Sequence, residues 1–296
     1  AKANVKRARA SVLKAAVEGR LVPTEAALAR AEGRDYEPAS TLLARILTER
    51  KAAWSASGAR GKYKEPVAPD GDRPPLLPEG WTSCSLDGLA TKITSGSRDW
   101  SPHYGRGKGV FLLAQNVRRR RLDLSMCQMV DPPEDDPACV RSLVQRGDLL
   151  VTIVGANTGE ACRVPVDLDR HYVCQSVALI RPAETAVSGF VELWLSSDPL
   201  LRIWDQYIYG QGRPHLSFDD LRRSPVWLPP LAEQHRIVAE VDRRLSVLDA
   251  LDAALDTNLA RCARLRQAVL KRAFEGRLVP SDGSGDSEPA RNQAAN

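Results

Sequence analysis

The sequence predicts an α+β chain: a strand-rich globular domain followed by one long, coiled-coil-forming α-helix. Three observations carry that prediction. Between Leu77 and Leu228, short apolar or β-branched runs alternate with Gly, Pro, Asp and Asn, as strands and their turns do. From Leu231 to about Phe274 there is neither Gly nor Pro, and apolar residues recur at steps of three and four, the seam of a coiled coil. The third is a repeat: the phrase VLKAAVEGRLVP, Val12 to Pro23, returns as VLKRAFEGRLVP, Val269 to Pro280, with ten of twelve positions identical. Copies so far apart are not stacked solenoid units and imply two copies of one large module. Only eleven residues precede Val12, so the expectation is the later part of a tandem protein, or a deliberately trimmed half.

Each element has a local reason. Residues 1–23 read as the end of a helix, with Val5, Val12, Leu13 and Val17 on one side, Gly19 where a helix stop favours a left-handed residue, and Pro23 beyond it. A second helix is expected from about Pro38 to Ala56, capped by Ser40 or Thr41, with Leu42, Leu43, Ile46, Leu47 and Trp54 on one face. Gly58 to Pro78 is rich in Gly, Lys, Asp and Pro and reads as a linker, so 24–76 is set down as a helical segment plus a Pro-rich linker. The globular domain is placed at 77–228, with strands at Val110–Leu113, Leu149–Val154, Val173–Ile180 and Val226–Leu228. Two short helices are expected inside it, capped by Ser188 and Asp198. The long helix is placed at 229–280, with Val238, Val241, Leu245, Leu248, Leu255, Leu259, Leu265 and Val269 in its seam. At 1.5 Å per residue it extends about 65 Å, more than one small domain covers, so it needs a second helix. The Ser-, Gly- and Asp-rich stretch 281–296 is expected to be disordered.

Composition narrows the function classes. A 296-residue chain with 43% hydrophobic residues can bury a real core, and its net charge of +5 permits a polyanionic partner without requiring one. The six cysteines include no C-x-x-C pair, which argues for reduced thiols and against a zinc or redox motif. No apolar run is long enough to span a bilayer, and the compartment is expected to be the cytoplasm, with no membrane partner.

Searches for catalytic machinery return little, and no catalytic residue, metal or cofactor is expected. Asp131-Pro132-Pro133 resembles part of an amino-methyltransferase motif, but Glu134 stands where a stacking aromatic is needed, and no Gly-rich turn cradles a cofactor. Gly105 to Gly109 lacks the Lys-Ser/Thr ending of a phosphate loop. Asp148 and Glu160 have no lysine near them to complete a metal nuclease, none occurring between Lys108 and Lys271.

Charge distribution says more. Lys92 to Arg121 holds eight basic residues against Asp99 alone, with Trp100, His103 and Tyr104 among them, while Leu122 to Pro137 holds five acids and no base. Lys and Arg attract phosphates, and Arg, Asn and Gln make paired contacts to base edges. The candidate DNA-binding residues are therefore Arg98, Arg106, Lys108, Gln115, Asn116 and Arg118, Arg119, Arg120, Arg121, together with Gln211, Arg213 and His215 from the polar loop YIYGQGRPHLS.

The order of several phrases resembles the DNA-specificity subunit of type I restriction-modification systems, in its C-terminal half. LPEGW (Leu77–Trp81) resembles that family's entry into a target-recognition domain. RGDLLVTIVGANTGEA (Arg146–Ala161) and QSVALIRP (Gln175–Pro182) are similar to its strand-rich core. GQGRPHLSFDDLRRSPVWLPPLAEQHRIV (Gly210–Val238) resembles its junction into a long helix, and LKRAFEGRLVP (Leu270–Pro280) that helix's ending. The resemblance implies that 77–228 is a target-recognition domain reading one part of a split DNA site, and that 1–23 is the end of a first spacer helix. It also implies a spacer helix at 229–280 that packs on its twin, in cis or in a homodimer. The implied partners are double-stranded DNA, the methyltransferase (modification) subunits and, through the complex, the restriction subunit, where the activity resides. The alternatives are the recognition segment of a fused single-chain restriction-methyltransferase, and a helical adaptor that binds no DNA.

Overall fold

The computed structural model describes residues 2–58, 61–70, 76–133, 135–210 and 212–278; the tail 281–296 lies outside them. Helix α1 (Lys2–Val17) leads to α2 (Glu25–Glu32) and α3 (Ala39–Ala56). The head follows as β1 (Thr82–Ser85), α4 (Leu86–Leu89), β2 (Ala90–Ser95), β3 (Tyr104–Leu112), β4 (Val117–Arg118), β5 (Arg121–Leu122) and β6 (Gln128–Val130). It continues through α5 (Pro137–Ser142), β7 (Leu149–Thr152), β8 (Ala161–Arg163), β9 (His171–Val173) and β10 (Val177–Pro182), then α6 (Ser188–Leu195), α7 (Asp198–Tyr207), α8 (Phe218–Arg223) and β11 (Pro225–Leu228). Helix α9 (Leu231–Phe274) closes the chain.

The entry and exit of the head are zipped together: β1 pairs antiparallel with β11, Thr82 opposite Leu228 and Ser85 opposite Pro225. The central sheet is antiparallel, ordered β2-β10-β7-β8. Its inner strands are covered on both sides, and successive residues alternate between two cores because strand side chains alternate faces. Leu149, Val151, Ala178 and Ile180 join the core shared with the helices. Leu150, Val177 and Leu179 join a second core around Trp100, Phe111, Tyr172 and Val173, under the sheet β6-β3-β9, in which β3 and β9 run parallel. This double covering is why LLVT and VALI read as continuous apolar runs.

The first core does not stop at the head. Leu13, Ala16, Val17 and Leu21 belong to the same cluster as Trp81, Phe190, Trp194, Trp204, Ile237 and Val241. The first copy of the repeated phrase is thus part of the head's foundation, and packing runs on across residue 23.

Helix α9 is unbroken for 44 residues, and α1 lies antiparallel along its first half. Lys2 pairs with Asp256, and Arg9 with Asp249 at 2.5 Å and Asp252 at 3.8 Å, so low numbers on α1 meet high numbers on α9. The mid-helix acids Asp249, Asp252 and Asp256 therefore answer the bases of α1. Within the seam, Val241 is buried and Val238, Leu245, Leu248 and Leu255 are half-buried, while Leu259, Leu265 and Val269 are exposed. No helix among the described residues is long and apolar enough to cross a membrane.

Several local expectations need correction. Helix α3 starts at Ala39 behind Pro38, with no side-chain cap from Ser40 or Thr41; the Ala39 N–H is satisfied by the Gly80 carbonyl at 2.8 Å. Ser188 and Asp198 are the first residues of α6 and α7, not their caps, because a 3-10 turn, Thr185–Val187, runs directly into α6 and Ser197 precedes α7. Helix α2 has no counterpart in the sequence reading, although Thr24 caps it by accepting from the Ala27 N–H at 3.2 Å and Gly33 ends it in the left-handed region. Of the proposed linker, residues 61–70 have no regular structure, yet they are strapped to the head. The Val67 N–H donates to Asp87 at 3.2 Å and the Asp70 N–H to the Arg223 carbonyl at 2.8 Å.

The joint between head and rod is a buried polar knot. Glu233, fully buried in the first turn of α9, accepts from the Trp81 indole N–H at 2.9 Å and from the Glu25 N–H at 2.8 Å. Burial pushes its carboxyl up, and those donors partly offset the shift. For Glu25, burial raises the carboxyl, but hydrogen bonds from Arg34 and Arg236 outweigh it and hold the group below its ordinary range.

Candidate nucleic-acid interface

Two of the phrases singled out in the sequence fold against each other and make a cleft. The Tyr209 and His215 main chains bond reciprocally, at 3.2 and 2.9 Å, closing the polar loop into a tight finger with Gly210 at φ +96°. The finger docks on the Gly155–Gly159 turn. The Gly155 N–H donates to the Pro214 carbonyl at 3.0 Å, the Thr158 hydroxyl reaches the same oxygen at 3.1 Å, and the Leu216 N–H donates to Ile153 at 2.9 Å. The other wall comes from the end of β2, where Gly96 crosses β9 so closely that a Cβ would lie 1.5 Å from the Val173 carbonyl oxygen. Only glycine fits there.

The cleft holds about 800 Å³ and is lined by Ser95 to Asp99, Arg141, Gln175, Ser176, Tyr209, Arg213, His215 and the apolar Ile153, Val154 and Phe218. Arg98 donates to the Gln175 amide oxygen at 2.7 Å, setting a guanidinium beside an amide on one wall. The Tyr209 and His215 rings lie 5.0 Å apart at the mouth. The His215 Nδ1 is buried and has no hydrogen-bond partner among the described residues. Three arginines against one carboxylate, an amide, an imidazole and an exposed aromatic ring suit a polyanion with planar bases. Among the described residues no group of three or more His, Cys, Asp or Glu is placed to hold a metal.

Of the candidate residues, the structure brings Arg98, Arg213 and His215 into this cleft; Gln211 lies outside the described residues. Arg106 and Lys108 stand exposed on a loop thrown out of β3 where its register against β6 jumps between Tyr104 and Gly109. Gly105 and Gly107, both at φ +72°, permit that loop.

The arginine run lies elsewhere. Arg118 to Arg121 form the β4–β5 hairpin, Arg120 at φ +58° in its turn, and each guanidinium meets a carboxylate. Arg118 faces Glu160 at 3.7 Å and Arg121 faces Asp123 at 3.2 Å; Arg119 donates to the Ser196 carbonyl and approaches Asp198 at 3.4 Å. Arg120, its side chain only 15% exposed, bonds Asp242 of α9 at 2.8 Å with Glu192 3.9 Å away, bridging head and rod. Asn116 is buried, its amide bonded to the Leu113 N–H and the Asp123 and Met126 carbonyls; Gln115 is exposed. Gln175, Arg141 and Tyr209 line the cleft and were not singled out from the sequence. For Gln175 and Tyr209 the signal was their place inside or beside phrases already noted; Arg141 gave none.

The chain thus sets a strand-rich head with a cationic cleft on an antiparallel helix pair. No family model matches the chain. Among curated proteins it is 36% identical over 208 residues to the Type I restriction enzyme EcoBI specificity subunit of Escherichia coli, a match covering 69% of this chain and 43% of that protein. To the Type I restriction enzyme EcoEI specificity subunit of the same species it is 22% identical over 280 residues, covering 92% and 46%. Among solved structures it is similar to a chain described under the structural basis of complex assembly and conformational transition of the type I R-M system. That match has a TM-score of 0.54 and 22% identity, and covers 93% of this chain and 60% of that one. The chain belongs among the type I restriction enzyme specificity subunits. It spans a little under half the length of those curated relatives, a coverage that fits a C-terminal half.

Proposed function

We propose that this chain is the sequence-reading half of a specificity subunit, without catalytic residues of its own. It would recognise one part of a split duplex site and dock methyltransferase subunits, and through them a restriction subunit, along its rod. The observation that carries the reading is the cleft between the 155–159 turn and the loop closed by Tyr209 and His215, with Arg98, Arg141 and Arg213 in its lining. Arg98, Arg213 and His215, with Gln211, are assigned to base edges and the groove, and Arg106 and Lys108 to phosphates. The Arg118–Arg121 hairpin serves chiefly to brace the head against α6, α7 and α9. The exposed stripe of distal α9 takes a second copy of the helix, in the same protein or in a homodimer.

Selection from a randomised duplex pool, with methyltransferase subunits present, tests this. The chain should enrich one short sequence. Arg213→Ala should relax a single position by about 1–3 kcal/mol, whereas Arg106→Ala with Lys108→Ala should weaken all sequences alike. No enrichment by the wild-type chain would favour an adaptor that binds no DNA and would sink the proposal.

A further inference from the structure

A second cationic hollow lies between α3 and the edge strand β2. It holds about 520 Å³ and is lined by Arg50, Lys62, Lys64, Lys92 and Arg181, with Trp54 and Tyr63 as its aromatic wall and no carboxylate on its surface. Two of these cations are balanced from behind. Arg50 sits 3.6 Å from Asp87 and is pinned by the Ala90 carbonyl at 2.9 Å, and Arg181 grips Asp148 at 2.7 and 2.8 Å. Lys62, Lys64 and Lys92 enter no ion pair among the described residues. Burial, with Arg181 nearby, pulls the Lys92 ammonium below its usual range, a cost that an arriving anion would relieve. The adjoining hollow shares Arg50, Lys64 and Lys92 and adds Arg222, together with the carboxylates of Glu65, Asp87 and Asp219.

The aromatic wall of the hollow is braced, and a single strand connects the hollow to the cleft. Tyr63 stacks edge-on to Trp54 at 5.7 Å and carries Arg50 over its ring at 5.2 Å, so the strap bearing Lys62 and Lys64 is held in place. Strand β2 links the two sites. Lys92 faces the hollow, Ser95 begins the cleft wall, and the Lys92 ammonium reaches the carbonyl of Arg141, itself a cleft residue, at 3.5 Å. Three strand residues span about 10 Å, close to three phosphates' rise along one DNA strand at about 3.4 Å each. A hollow open to solvent, with the cleft wall beginning three residues further along the same strand, suits a passing backbone better than an enclosed small anion.

We propose that the α3–β2 hollow is a second phosphate-binding site, gripping the backbone of duplex DNA that flanks the stretch read at the cleft. This rests on the proposed function, which it deepens by placing a sequence-independent contact on residues 50–92. The test is equilibrium binding of a mixed-sequence duplex of about 30 base pairs across a sodium chloride series, with the wild-type chain and the Lys62→Ala/Lys64→Ala/Lys92→Ala variant. Glutamine versions, which keep most of the aliphatic stems, guard against lost packing. The slope of log affinity against log salt should become shallower by about 2–3, with the sequence enriched from a randomised pool unchanged. An unchanged slope, in a background where Arg98→Ala and Arg213→Ala still weaken binding, overturns the hollow alone. A change in the enriched sequence overturns its assignment to phosphates. Absence of any duplex binding by the wild type removes the cleft reading and the hollow with it.

Discussion

The two copies of the repeated phrase have the same local structure and opposite surroundings. Both end a helix at the same point, Val17 and Phe274, and both follow it with a glycine at φ +67°, Gly19 and Gly276. In the first copy Leu13, Val17 and Leu21 are buried on the head, and a Cβ on Gly19 would lie 2.6 Å from Pro78 and 3.1 Å from Trp81. In the second, Leu270, Phe274 and Leu278 are exposed, Phe274 at 90%, and among the described residues nothing lies within 4 Å of a Cβ on Gly276. Helix and stop are written locally, in propensity and a left-handed glycine; burial comes from what stands beside the phrase. Val269, Leu270, Phe274 and Leu278 together form an apolar stripe of the kind that marks an interaction surface.

Paired substitutions turn this contrast into numbers. Leu13→Ala should cost about 2–5 kcal/mol in chemical unfolding of the isolated chain at concentrations where it is a monomer, while Leu270→Ala stays within about 0.5 kcal/mol. Equal costs would mean that the second copy is already covered. Gly19→Ala should lose about 2–4 kcal/mol, left-handed strain plus the collision with Pro78, against about 1–2 kcal/mol for Gly276→Ala, where only the strain applies. Trp81→Phe keeps the aromatic bulk but strips a donor from buried Glu233, costing about 1–3 kcal/mol by the same measurement. Arg9→Ala, removing exposed ion pairs to Asp249 and Asp252, should cost less than about 1 kcal/mol, a loss that fades in high salt.

The same division explains what the sequence discloses. Periodicity shows α9 and the apolar runs that become β7 and β10, because those signals belong to single segments. It does not show α2, whose eight residues carry too little pattern beyond the Thr24 cap and Gly33. Nor does it show the Trp81–Glu233 bond, which joins residues 152 positions apart. In the site, the basic run from Lys92 to Arg121 is plain in the sequence, but its partition is not. Arg98 turns into the cleft and Arg106 and Lys108 face solvent, while Arg118, Arg120 and Arg121 meet Glu160, Asp242 and Asp123. A count of charge cannot distinguish a cation left facing solvent from one already answered by a carboxylate across the fold. Asn116 teaches the same lesson: an amide suited to an adenine edge is spent on the main chain of its own loop.

The central claim, that the stripe of distal α9 is a surface built to be covered by a second copy of the rod, is tested most directly by the solution mass of the isolated chain over a concentration series. Wild type should rise from the 32.4 kDa of one chain toward twice that value, and Leu270→Asp with Phe274→Asp should hold it at the monomer. A wild-type chain that stays at 32.4 kDa up to about 100 μM, far above the dissociation constants of stable interfaces, would contradict the homodimer and leave the stripe only to a second helix copy within the same protein.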